Sequence, residues 1–344
     1  MRIAKKKQYL YSEFVFNAKS TNSQYVFVAE STKHEIINYF QKEAILFMIS
    51  FIICTYNREK YIYECLSKLA KNTEQKGCEI VLVNNNSTDN TAAECERFVK
   101  DYKPTNYRYV VETKQGLSFA RNRGIAEAQG EWLVFLDDDA MVETDYITNL
   151  QKHLSEHPEA GAFGGQIEPF FEDGEPEWYS KWSMGFVSAI DRGDKVHVFP
   201  DNKFPIGANM GIKREVIEKV GLFNTELGRT GNNLLAGEEK DLFNRIREAG
   251  YEILYFPNIG VKHCIPGRRT TREFVERLAY GVGVSERLRT KKIGSMAYTK
   301  RLFMELVKWA GTIVLWCQYF LKGQKAKGNI LVYFRCHVTK GLIK

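Results

Sequence analysis

Between Ile45 and Asp137 the chain alternates short apolar runs with segments whose apolar residues recur every three to four positions. No other feature restricts the fold as much. "ILFMISFIIC" (45–54) is a continuous apolar run, the pattern of a strand buried on both faces of a parallel sheet. At ten residues it is too short to cross a bilayer. "TYNREKYIYECLSKLAKN" follows, with Ile62, Leu66 and Leu69 at helical spacing. "CEIVLVNNNSTDNT" predicts a second strand and a polar turn, whose Ser87, Thr88 and Asp89 suit the cap of the helix "TAAECERFVKDY". "YRYVVE" predicts a third strand. "GLSFARNRGIAEAQG" predicts a helix capped by Ser118 and stopped at Gly130, and "EWLVFL" a fourth strand. This rhythm predicts a Rossmann-like α/β sheet, mostly parallel, with helices on both faces. Ligands of such sheets bind beyond the carboxyl ends of the strands, where Tyr56, Asn85 and Asp137 fall.

The flanks divide the rest. Residues 1–45 read as an extension with strand-like alternation at Tyr25 to Val28 and a helical pattern from Lys33 to Lys42. The α/β domain is expected over 46–265. It includes an aromatic, Gly- and Pro-rich loop with irregular strands around 161–186, a strand, turn and helix over "KFPIGANMGIKREVIEKVG", and a helix over "GEEKDLFNRIREAG". "YEILYFPNIGVKHC" predicts two more short strands. Residues 266–344 read as a helical tail.

Charge separates that tail from the body. The 344 residues carry a net +7, but residues 261–344 hold 18 Lys and Arg against 4 Glu, a local +14, leaving −7 for the remainder. A basic tail points to an anionic surface, and "LFMELVKWAGTIVLWCQYFL" (302–321) inside it is long and apolar. Glu305, Lys308 and Gln318 interrupt that run, and Lys and Arg flank it. These features suit a helix lying on the inner face of a cell membrane better than one spanning it, or else a helix packed on the domain. No nucleic-acid-reading module accompanies the charge, so nucleic acid is not the expected partner. Seven scattered cysteines with no C-x-x-C pair point to a reducing compartment, and the basic start lacks the apolar segment of a secretion signal. The expected location is cytoplasmic.

Chemistry concentrates in a few places. "FLDDDA" ends the fourth strand in Asp137, Asp138 and Asp139, although adjacent carboxylates repel by about 4 kcal/mol at 4 Å and an effective dielectric of 20. Strand-end D-x-D can share a hard divalent cation, Mn²⁺ or Mg²⁺, with a diphosphate; the alternative is a solvated turn. "GEEKD" places Glu238, Glu239 and Asp241 in a helix's first turn, more acid than the helix dipole needs, and one of them suits a general base. His263 lies near a strand end, Arg121 or Arg123 of "ARNRG" could meet phosphate, and Trp178 and Trp182 could stack on an acceptor sugar or cap the core.

Taken in order, "SFIICTYNR", "EIVLVNNNSTDNT", "GLSFARNRGIAEAQGEWLVFLDDD", "IGANMGIKREVIEKVGLFN" and "AGEEKDLFNRIREAGYEILYFPNIGVKH" resemble the family 2 glycosyltransferases, inverting enzymes of the GT-A fold. The resemblance runs over roughly 48–264. It implies that Thr55, Tyr56 and Asn57 seat the nucleotide and that Asn85 meets a uracil-type ring. It further implies that Arg121, Asp137 and Asp138 belong to the sugar-nucleotide site and that Asp139 and His263 hold the metal. Glu239 stands where the family's base stands, with Glu238 or Asp241 able to share its role. Asn84 replaces an Asp usual in the family. The implied reaction transfers a sugar from a UDP-sugar to a hydroxyl of a glycan or lipid-linked glycan, with inversion. The contrasting reading is a sugar-nucleotide-binding protein with a dead site. Nucleotidyltransferases are disfavoured because "TYNREKY" lacks a Gly-rich triphosphate loop.

Overall fold

The computed structural model describes residues 49–73, 77–201, 203–228 and 237–344, all within one compact unit, Phe47–Lys344. The alternation at Tyr25 to Val28, the helical pattern from Lys33 to Lys42 and the first four residues of the expected first strand lie outside the described residues.

Four parallel strands form one half of the sheet: β1 (Ile49–Thr55), β2 (Cys78–Asn84), β3 (Tyr107–Val111) and β4 (Trp132–Asp137), in the order β3-β2-β1-β4. They alternate with helices α1 (Ile62–Thr73), α2 (Thr91–Tyr102) and α3 (Leu117–Glu127). Side-chain alternation along each strand divides the core in two. Ile49, Phe51 and Ile53 of β1 face α1 and α2, whereas Ile52 faces α3. The strand order reverses between β1 and β4, where Cys54 lies opposite Asp137. That reversal opens the crevice in which such sheets bind ligands.

The second half is mixed. β5 (Ala140–Val142), α4 (Tyr146–Glu156), β6 (Ala160–Phe171), β7 (His197–Val198), β8 (Met210–Lys213), α5 (Arg214–Val220), α6 (Glu238–Glu248) and β9 (Glu252–Ile265) follow. β8 runs antiparallel to β4 and β6, while β6 and β9 pair in parallel. Six of the nine strands among the described residues therefore run the same way. The irregular strand expected at the start of the aromatic loop is β6, 12 residues long with a register shift at Gly165–Ile167. One expectation needs correction here. The two short strands expected after Gly250 are one bent 14-residue strand, β9. Its bend at Pro257–Ile259, where Asn258 has φ 62°, is fastened by Asn149 to the Asn258 carbonyl and Asn209 to the Ile259 carbonyl. The bend keeps one chain in the sheet while redirecting its second half, and it defeats any reading by local pattern.

Helix starts also differ from expectation. Asn90 and Gly116, not Ser87 to Asp89 or Ser118, occupy the cap positions of α2 and α3. Ser118 instead donates to the Leu227 carbonyl, and Ser87 accepts from the Asn57 amide, so both stitch the crevice loops together.

The tail forms α7 (Arg272–Ile293), α8 (Ser295–Leu321) and α9 (Lys325–Ile343). α7 and α9 join the α/β body through a third apolar cluster of Trp178, Phe186, Val187, Ile265, Val275 and Ile330 among others. No described helix is long and apolar enough to cross a membrane.

Candidate active site

β4 carries the three aspartates to the crevice, and the structure supplies the positive charge they need. Arg58, in the loop after β1, places Nε 3.1 Å from Oδ1 of Asp138 and Nη2 3.5 Å from Oδ2 of Asp139. β9 brings His263 opposite Ala140, so its Nε2 lies 3.1 Å from Oδ1 of Asp139. Arg269, just beyond β9, comes within 4.0 Å of Asp139. Asp138 and Asp139 are buried, Asp137 only partly. Burial pushes Asp138 up to about 7 despite Arg58. Burial alone would raise Asp139 too, but His263, Arg58 and Arg269 hold it well below the usual carboxylate range.

Three donor groups, Asp137, Asp139 and His263, offer ligand atoms within 4.8 Å of one another. Asp139 Oδ2 is buried with no hydrogen-bond partner. The His263 Nδ1 lies 3.2 Å from the Val187 carbonyl, an acceptor that fixes a proton there and directs the Nε2 lone pair at Asp139. Arg269 Nη1 also lies 3.4 Å from His263 Nε2 and 4.0 Å from Asp139 Oδ2, so its guanidinium supplies positive charge beside that contact. A mixed carboxylate and imidazole set with one unsatisfied buried oxygen fits a divalent ion such as Mn²⁺.

A second cluster forms beside the first. Glu238 and Glu239 open α6, and both reach Arg121 of α3: Nη1 lies 3.0 Å from Glu238 Oε1 and Nη2 3.0 Å from Glu239 Oε1. The Gly207 amide also donates to Glu239 at 2.8 Å. Burial, then Glu238 and Asp137, push Glu239 up to about 7, against the pull of Arg121 and the Gly207 amide. A carboxyl poised there can both take and release a proton near neutrality.

The remaining expected residues sort by what they touch. Thr55 is buried at the end of β1, and Tyr56 is 39% exposed beyond it. Asn57, with φ 54°, accepts from the Thr88 amide through its side chain. Asn85 donates to the Glu112 and Lys114 carbonyls and accepts from the Gly116 amide, so its side chain shapes the loop entering α3. Asn84, the family departure, donates to the Tyr109 hydroxyl. Asp241 pairs with Arg245 one turn along α6, and Arg245 also caps the end of α5 at the Val220, Gly221 and Leu222 carbonyls. This engages Asp241 away from Arg121. Trp178 is buried in the third apolar cluster and donates to the Thr270 carbonyl, the core-capping alternative of the two expected for it. Trp182 is 51% exposed.

Sequence reasoning missed Arg58, Arg269 and Gly207. Arg58 had a signal, a cation in the turn directly after the first strand; Gly207 had none beyond the "IGAN" run. A Cβ at Gly207 would collide with the Arg121 guanidinium and the Glu239 carboxylate.

An α/β sheet with a strand-end aspartate cluster and an acidic helix start matches the arrangement expected of a glycosyltransferase of the GT-A fold, and the comparisons with known proteins bear that class out. A mannosyltransferase from Pyrobaculum calidifontis, solved with GDP-Man and Mn²⁺, superposes over 92% of this chain and 97% of its own with a TM-score of 0.57 and 18% identity. In sequence, the glucosyl-dolichyl phosphate glucuronosyltransferase of Haloferax volcanii is 26% identical over 245 residues, 70% of this chain and 76% of its own. Glycosyltransferase GlyA of Streptococcus pneumoniae is 33% identical over 133 residues, 38% of this chain but only 18% of its own length. The family model for glycosyl transferase family 2 matches residues 50–221, and the chain belongs to that family.

Proposed function

We propose that this glycosyltransferase moves a sugar from a nucleotide donor, a UDP-sugar, to a hydroxyl of a glycan or lipid-linked acceptor, with inversion. The observation that carries the reading is Glu239, a carboxyl poised near neutrality beside the Asp137, Asp139 and His263 cluster. Asp139 and His263, with Asp137, would hold a divalent ion, Mn²⁺ or Mg²⁺. Bound there, the ion would neutralise the diphosphate as it leaves. Arg58 would lie beside the same phosphates, and Thr55, Tyr56 and Asn57 beside the nucleoside. Asn85 would act by shaping the 112–116 loop. Glu239 accepts the proton of the acceptor hydroxyl, whose oxygen then attacks the anomeric carbon from the face opposite the diphosphate. Arg121 and the Gly207 amide aim the Glu239 carboxylate, and Glu238 balances the second arm of Arg121. Trp182, exposed on the loop, is the aromatic left to meet an acceptor. A lipid-linked acceptor is supported by the name of the Haloferax volcanii relative, which acts on glucosyl-dolichyl phosphate.

Transfer from a panel of nucleotide sugars, with and without Mn²⁺, tests the reading. Glu239→Gln should keep donor binding and lose about 10²–10⁴-fold in kcat. Full activity in that variant refutes the assignment of the base. Donor binding without transfer by the wild type would favour the dead-site alternative.

A peripheral location at the inner membrane face is part of the proposal. It is supported by α8, which is built inside out: Arg301, Glu305 and Thr312 are its buried residues. Arg301 pairs with Glu305 one turn along α8 and Arg335 reaches the same Glu305 from α9, whereas Phe303, Leu306, Val307, Ile313 and Val314 are exposed. Exposed lysines 300, 322 and 325 suit anionic headgroups around that face. Leu306→Glu with Val314→Glu should abolish flotation with phosphatidylglycerol vesicles while leaving the fold intact; unchanged flotation refutes it.

A further inference from the structure

Far from the crevice, α4 presents a second constellation that the transfer reaction does not use. His153, Glu156 and His157 stand at positions i, i+3 and i+4, one face of the helix, and each offers a donor atom within 4.8 Å of the other two. Five residues of β9 lie between the carbonyl that holds this cluster and His263.

The hydrogen bonds of the two imidazoles determine which nitrogen is free. His153 Nε2 lies 2.9 Å from the Pro257 carbonyl, an acceptor only, so Nε2 carries the proton and Nδ1 the lone pair. Nδ1 is buried and has no hydrogen-bond partner, on a residue only 8% exposed. An unsatisfied buried ring nitrogen is costly unless something occupies it. His157 shows the complementary arrangement: Nδ1 lies 3.0 Å from the Glu159 carboxylate, which leaves Nε2 as the lone pair. Each ring is thus oriented by an acceptor on one nitrogen, as metal-ligating histidines are. Phe256 stacks on the His153 ring, with centroids 4.7 Å apart and planes 9° from parallel, which fixes the ring further. Glu156 is exposed, and its nearest cation is Lys152 at 3.9 Å, a contact loose enough to exchange.

We propose that His153, Glu156 and His157 bind one divalent transition ion of the zinc class, separate from the ion at the aspartate cluster. Two imidazoles and one carboxylate suit Zn²⁺ or its neighbours Ni²⁺ and Cu²⁺ over Mg²⁺, and solvent completes the shell on the exposed side. The ion has a structural consequence. Through the bond from His153 to the Pro257 carbonyl it ties α4 to the bend of β9, the bend that delivers His263 to the crevice.

The test uses the full chain, untagged and chelator-treated, titrated with Zn²⁺ against a chromophoric indicator. The variants are His157→Ala, at a partly exposed position, and Asp139→Asn, at the other cluster. Zinc binding should survive Asp139→Asn. His157→Ala should weaken it by at least the ~10–100-fold lost when only a supporting hydrogen bond is removed. Mn²⁺-dependent transfer should be unchanged in His157→Ala. Cu²⁺ bound to the wild type should show magnetic-resonance coupling to two imidazole nitrogens, reduced to one in His157→Ala. Equal zinc affinity in wild type and His157→Ala, loss of zinc only in Asp139→Asn, or no zinc binding at all overturns the proposal.

Discussion

Arg121 Nη2 stands 3.0 Å from Oε1 of Glu239, and its other arm stands 3.0 Å from Glu238. One guanidinium from α3 therefore holds two carboxylates from α6, a helix 117 residues further along the chain. Arg121 and Glu238 are both buried. Removing the cation strands the acids without a partner. Arg121→Met should cost about 3–5 kcal/mol of stability, read from the midpoint of denaturant unfolding. A loss below about 1 kcal/mol would mean the cluster is solvated and the pairing immaterial.

The position of Glu239 near 7 has a kinetic consequence. Below pH 7 the carboxyl holds its proton and cannot accept another; above it the base is available. The kcat profile should rise with pH and level off above an apparent pKa of about 7. An acid limb near 4–5, the range of an exposed carboxylate, would remove Glu239 as the base.

Gly207 is required for space. A methyl group there meets the Arg121 guanidinium and the Glu239 carboxylate, so Gly207→Ala must displace the base from its aimed position. The expected result is a drop in kcat of about 10²-fold with donor affinity retained, measured by transfer kinetics beside nucleotide titration. Unchanged kcat would show that the base needs no such aiming.

The two loop tryptophans should separate cleanly. Trp178→Ala empties the third apolar cluster and should cost about 3–5 kcal/mol. Trp182→Ala removes an exposed ring and should alter stability by no more than about 0.5 kcal/mol while raising the acceptor KM. An unchanged KM across acceptors would free Trp182 from substrate contact.

Membership of the glycosyl transferase family 2 is readable in five ordered segments, and so is the first half of the sheet. Apolar periodicity is local, and β1 to β4 with α1 to α3 depend on little else. The misreadings fall where long-range geometry intervenes. β9 looks like two strands because its bend is held by Asn149 and Asn209, residues 109 and 50 positions away in the chain. Ser118 looks like a cap, yet its hydroxyl bonds to Leu227. Trp178 reads equally as a sugar platform or a core cap, and only packing against α7 and α9 places it in the core.

The opposition of charges was likewise half legible. Runs such as "FLDDDA" and "GEEKD" announce themselves because like charges are rarely placed side by side without a partner. Their partners, Arg58, Arg269, His263 and Arg121, are single residues scattered from position 58 to 269, and no spacing links them. The sequence by itself determined the strand–helix alternation, the family and the acids that carry the chemistry, all properties of neighbouring residues. The tertiary structure alone decided which cation meets which carboxylate, and that Asp241 is held apart from the pair on Arg121. It also decided that α8 turns its charges inward. Burial and proximity arise only when distant segments meet.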